Sequence, residues 1–175
     1  MSTLKVNTIT NTSGNPDITN VGKNIKVAIV TKTDTFSASC SAGNFTNNCI
    51  ELAYTPVSSS NKLLITAVVN IGCSTDNGLY ARLTKGNSDV SGTVGDADGS
   101  RGRVASYGDI DGSAETATIV FRFLVDAGSA GTWGVQLRTN SSSTKTVYVN
   151  RHHTDNNNVY NSRQASTLSI EEIAT

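Results

Sequence analysis

The chain has 175 residues, with 14 basic and 14 acidic side chains and a formal net charge of zero. That length suits one domain with room for a buried core, and the balanced charge excludes the basic surface that general nucleic-acid binding needs. Serine, threonine and asparagine supply 21, 23 and 18 residues, more than a third of the chain, a polar and uncharged bias that favours strands and turns over helices.

Residues 1–25 open with one short alternating stretch, Leu4 and Val6 against Lys5 and Asn7. A dense cluster of turn formers follows, Asn11 to Asp17, then a second short piece around Ile18 to Val21. Alone this segment buries too little apolar surface to offset its ordering entropy. It is expected to be an extended arm that orders against neighbouring copies or a larger assembly.

From Lys26 onward apolar residues recur with period 2. Leu63, Ile65, Ala67, Val69 and Ile71 form one face of a strand; Ile119, Phe121, Phe123 and Val125 form another. Trp133, Val135 and Leu137 form a third, opposed by Gly134, Gln136 and Arg138. Shorter runs lie at Val27–Val30, Ile50–Tyr54, Leu79–Leu83, Val147–Val149 and Leu168–Ile173. Such alternation marks half-buried strands. About eight strands in residues 26–175, separated by turn chemistry and with no 3.6-residue stripe, predict an all-β jelly-roll sandwich.

No apolar run approaches the roughly 18 residues that span a bilayer. Met1 leads into polar, alternating sequence instead of a charged and then apolar leader, so folding in a cytosol is expected. Cys40, Cys49 and Cys73 are odd in number and form no Cys-x-x-Cys pair. They read as small core residues kept reduced, with a Cys40–Cys49 bridge as the alternative in an oxidising medium.

Gly95-Asp96-Ala97-Asp98-Gly99-Ser100 nearly repeats as Gly108-Asp109-Ile110-Asp111-Gly112-Ser113. Asp96, Asp98, Asp109 and Asp111 are candidate Ca²⁺ ligands if the two segments lie side by side. Otherwise they are Asp-Gly turns at the ends of a strand pair around Arg103 to Tyr107. His152 and His153 are adjacent, so on a strand they point to opposite faces and cannot share a metal; a loop relaxes that limit.

Arg101, Arg103, Tyr107, His152, His153 and Tyr160 are candidate ligand-binding residues. Outward aromatics stack on sugar rings and arginines grip carboxylated glycans; the same residue types also fill subunit interfaces. No nucleophile–base constellation, Gly-x-Ser-x-Gly elbow or phosphate loop is present, so neither catalysis nor a cofactor is expected. The acidic residues are expected in Asp-Gly turns or on outward strand faces, as for Glu51.

The opening Met1-Ser2-Thr3-Leu4-Lys5-Val6-Asn7-Thr8-Ile9-Thr10-Asn11-Thr12-Ser13-Gly14 resembles the start of tail-fibre and related virion proteins of bacteriophages, especially marine and cyanobacterial ones. The body resembles a small β-domain common in such proteins. The likeness lies in an ordered set: Ser59 to Ile65, Ala81 to Gly86, Gly95 to Arg101, Thr146 to Arg151 and Ala165 to Ile173. That domain is similar in architecture to the trimeric jelly rolls of the complement and tumour-necrosis-factor type. The resemblance implies a homotrimer on the virion surface, assembled in the host cytoplasm. Its arm would contact capsid or tail proteins and its body would attach to a host-surface glycan. Tail fibres are usually much longer, which leaves open a head fibre, a capsid decoration protein that stabilises the head, or a small tail appendage.

Overall fold

The computed structural model describes residues 24–41 and 43–175. Eleven strands fold into two antiparallel sheets. The first contains β1 (Asn24–Lys32), β2 (Phe36–Cys40), β4 (Lys62–Cys73), β8 (Ala117–Asp126), β10 (Lys145–Val149) and β11 (Ser166–Ile173). The second contains β3 (Ile50–Tyr54), β5 (Asn77–Lys85), the two-residue β6 (Ser88–Asp89), β7 (Ser106–Ile110) and β9 (Gly131–Thr139).

In the first sheet the long β4 is central. β8 lines one side of it, while β11 and β10 share the other, pairing with its first and last parts. β1 pairs with β11 and β2 with β10, so β1 and β2 are two halves of one edge. The second sheet runs β3-β9-β5, with β7 and β6 on β5. Counting β1 with β2 and β10 with β11 as single rows and setting aside β6 gives eight rows, the expected jelly-roll-like sandwich.

The alternation decides which side chains fill the core. Leu63, Ile65, Ala67, Val69 and Ile71 of β4 are fully buried and face Leu79, Ala81 and Leu83 of β5 with Trp133, Val135 and Leu137 of β9. A period of two puts a whole apolar set on one face, and burying it against a second sheet is the cheapest way to remove it from water.

One polar residue fixes a corner of this frame. Asn150, at φ 63°, is fully buried just after β10. Its amide donates to the carbonyls of Lys32 and Asp34, at 2.8 Å each, and accepts from the Ser166 hydroxyl at 2.6 Å. It thereby ties the β1–β2 junction to the start of β11. Asparagine suits the position because it tolerates the left-handed region and carries both donor and acceptor.

Several expectations change. β1 begins at Asn24, so the last two residues of the expected arm, 1–25, belong to the sheet; the rest of the arm lies outside the described residues. β9 is buried on both faces, because the Asn48 side chain covers Gly134, the Phe45 ring lies against Arg138, and Arg82 and Asn87 engage Gln136. Tyr148, which the alternation of Val147 and Val149 turns outward, is also buried. The two Asp-Gly segments are no structural repeat: residues 95–103 form an exposed loop, whereas Gly108 to Ile110 are strand. Ile110 stands where the first copy has Ala97, and burying it draws the second copy into β7.

The acidic residues are not all outward. Glu172 on β11 is fully buried in line with Leu168 and Ile170. Its carboxylate accepts from the Tyr54 hydroxyl at 2.8 Å, the Val57 N–H at 2.8 Å, the Ser58 N–H at 3.1 Å and the Asn61 amide at 2.7 Å. Burial pushes its pKa up, but these donors outweigh burial and hold it at about 2. Burial, with the bond to Glu172, pushes the Tyr54 hydroxyl the other way, well above its usual range.

The three cysteines are buried and unbridged, and burial raises the Cys49 thiol to about 12.

Candidate functional site: an aromatic and guanidinium row on the second sheet

Of the six candidate ligand residues, Tyr107 lies on the outer face of the second sheet, and Arg101 and Arg103 flank Gly102 in the exposed loop that reaches this face. β5 places Tyr80 directly between Arg138 on β9 and Tyr107 on β7. Beyond β9, residues 44–49 continue the line of β3: the Thr46 N–H donates to the Leu137 carbonyl at 2.8 Å, and the Cys49 N–H to that of Val135 at 2.8 Å. That pairing brings Phe45 beside Arg138. The row across the sheet is therefore Phe45, Arg138, Tyr80, Tyr107.

The rings and cations stack in sequence. The Arg138 guanidinium lies 5.3 Å from the Phe45 centroid and 4.7 Å from that of Tyr80. Tyr80 and Tyr107 sit 5.5 Å apart, tilted by 49°. Arg82, one step along β5, lies 3.9 Å from the Phe45 ring. It pairs with Asp89 at 2.6 Å and donates to Gln136 at 2.6 Å.

Arg138 differs from Arg82. It is only 8% exposed, yet among the described residues it has no ion pair and no hydrogen bond, and its Nε is fully enclosed without an acceptor. One terminal nitrogen presses against Gly102, where an added Cβ would come within 2.0 Å of it. An alanine there would have to push the guanidinium aside. The neighbours of Gly102 are the candidates Arg101 and Arg103, both exposed; Arg101 pairs with Asp98, and Arg103 donates to the Gly95 carbonyl at 2.8 Å.

Tyr107 is 48% exposed, and its ring rests over Gly78, whose added Cβ would meet the ring at 2.3 Å. Its hydroxyl is held above the usual range by partial desolvation and by the Asp109 carboxylate beside it.

The remaining candidates lie elsewhere. His152 is buried with an unpartnered Nδ1, while His153 is exposed and its Nδ1 lies 2.7 Å from the Tyr148 hydroxyl. The pair thus occupies two different environments. Tyr160 is exposed in the loop after them, near a groove of about 250 Å³ lined by Asp155, Asn156, Asn157, Asn158, Asn161 and Arg163. Asp96 is exposed, Asp98 is taken by Arg101, and Asp109 and Asp111 lie on and just after β7. Among the described residues no three His, Cys, Asp or Glu side chains gather to hold a metal ion.

Sequence reasoning passed over Phe45, Tyr80 and Arg138. Tyr80 and Arg138 occupy the outward positions of runs whose inward residues were identified, so the same alternation carried the signal.

No family model matches the chain, and no curated protein matches it. Solved structures similar to it include infectious bursal disease virus, Gx strain, with a TM-score of 0.43 and 15% identity, covering 87% of this chain and 39% of that one. A second is the VP2 subviral particle of infectious bursal disease virus, with a TM-score of 0.40 and 13% identity over 86% of this chain and 38% of that one. The chain spans about two fifths of the length of these viral chains.

Proposed function

We propose that the chain is a structural protein of a virus particle that self-associates, as a homotrimer, through the outer face of the first sheet and displays the second sheet for host-surface attachment. The observation that carries this reading is the composition of that first face. Its rungs read Val27, Glu171, Leu64, Leu124, then Ile29, Ser169, Thr66, Arg122, then Thr31, Thr167, Val68, Val120. Val27, Ile29, Val120 and Leu124 are each more than half exposed.

Apolar side chains gathered on one sheet face mark an interaction surface. The occupant is a second copy of this chain. The charges there are self-balancing: Arg122 stands 4.0 Å from Glu171, and Lys62 pairs with Asp126. A charged partner would leave one sign unmet. The sequence resemblance to phage virion proteins supports the setting, and the role needs shape and avidity instead of a catalytic step.

Sedimentation at several concentrations tests the association. The intact chain is expected to run as a trimer. A Val120→Asp/Leu124→Asp variant should run as a monomer with its melting transition retained. A wild-type monomer at about 50 μM, a concentration well above the dissociation constants of stable assemblies, overturns the reading. Imaging of particles with an antibody to the chain tests its place: label on every particle at a few sites fits a fibre, and dense label over the shell fits a decoration protein instead.

A further inference from the structure

The row on the second sheet leaves one cation without a counter-charge. Arg138 is enclosed, the Phe45 and Tyr80 rings are its cation–π neighbours, and no carboxylate lies within 4.0 Å of it among the described residues. Cation–π contacts offset part of the cost of enclosing a guanidinium, but they leave its N–H edge unmet. All guanidinium N–H groups lie in its plane, so hydrogen bonding uses that edge. A planar, two-pronged acceptor matches it, and a carboxylate is that acceptor. Of the acids in the neighbouring segments, Asp98 and Asp89 are held by Arg101 and Arg82, and the exposed Asp96 and Asp109 make no ion pair with Arg138.

The groups next to this edge have their own chemistry. Tyr107 presents a half-exposed ring in line with Tyr80, the surface on which the C–H face of a pyranose stacks. Asp109, outward on the same strand as Tyr107, offers an acceptor for sugar hydroxyls. Gly102 carries no side chain to cover the guanidinium, and exposed Arg101 and Arg103 flank it with positive charge. The page of the sheet thus pairs a ring platform with an uncompensated cation.

We propose that Arg138, Tyr80 and Tyr107 form a binding site for a carboxylated sugar, with the carboxylate on the Arg138 edge and the ring against Tyr107. The site deepens the attachment reading above by naming its ligand class, and it is separable from the self-association surface, which lies on the other sheet.

The test is calorimetric titration of the full chain with trigalacturonate and with sialyllactose, each beside its carboxyl-reduced counterpart. At least one acidic saccharide is expected to bind, and its neutral counterpart at least about tenfold more weakly, the usual worth of one charged contact. Tyr107→Ala removes an exposed ring and should weaken binding about tenfold with an unchanged melting transition. Arg138→Gln should abolish it; if that variant does not fold, Gly102→Ala, which places a methyl against the guanidinium, should weaken binding instead. Equal affinity for acidic and neutral saccharides overturns the proposal. So does failure of both acids to bind at about 10 mM, the weak limit of specific recognition. Unchanged binding by Tyr107→Ala overturns it as well. Loss of trimer in these variants without any saccharide binding assigns the row to a protein contact and also overturns it. Sedimentation of the unmodified chain reports on self-association independently.

Discussion

Single buried polar residues carry much of the specificity of this sandwich. Glu172 is the clearest: a carboxylate held at about 2 in the folded chain, against an ordinary 4.5, favours folding wherever it is ionised. Its contribution is complete above about pH 4.5 and fades as pH falls toward 2, amounting to about 3 kcal/mol by linkage. Melting temperature is expected to drop through that window, and Glu172→Gln should both lower it at neutral pH and flatten the acid dependence. An unchanged acid profile in that variant would remove Glu172 as the cause. Asn150 is the second such residue. Asn150→Ala removes three side-chain hydrogen bonds, one buried and two part-buried, and places alanine at positive φ, so denaturant titration should register a loss of about 3 kcal/mol. Neither residue was legible as important in the sequence. A glutamate and an asparagine near strand ends look like surface chemistry until the partner strand is known, and Tyr54 and Lys32 lie more than a hundred residues away in the chain.

Strands were far easier to read than their outer coverings. β4, β8 and the inward set of β9 follow from alternation alone, because an apolar period of two has one folded solution. β2 went unread, since Phe36-Ser37-Ala38-Ser39-Cys40 alternates with residues too small to stand out. The covering of β9 by residues 44–48 also escaped. It depends on Phe45 and Asn48 fitting over Arg138 and Gly134, and pair geometry of that kind leaves no local period. The result is a strand enclosed on both faces at the centre of its sheet. Hydrogen exchange should rank β9 amides among the slowest in the chain and those of the exposed 95–103 loop among the fastest, since protection follows burial and pairing. Rapid exchange throughout β9 would mean that the covering segment opens readily.

At the scale of the molecule the two sheets divide the surface by chemistry. One outer face carries exposed aliphatic residues among polar ones, with balanced charge; the other carries a row of rings and guanidinium groups. Asn24 stands opposite Ile173, and Ile173 opposite Lys62, so both ends of the described chain leave from the same short side of the first sheet. Strands β4 and β9 each begin on that side, and Arg138 lies near the far end of β9, one residue before the strand stops. A body held at that short side would stand with its guanidinium row toward the opposite pole, clear of whatever holds it down. A reporter fused after Thr175 would, for the same reason, sit at the foot of the body and leave the crown open to a surface it meets.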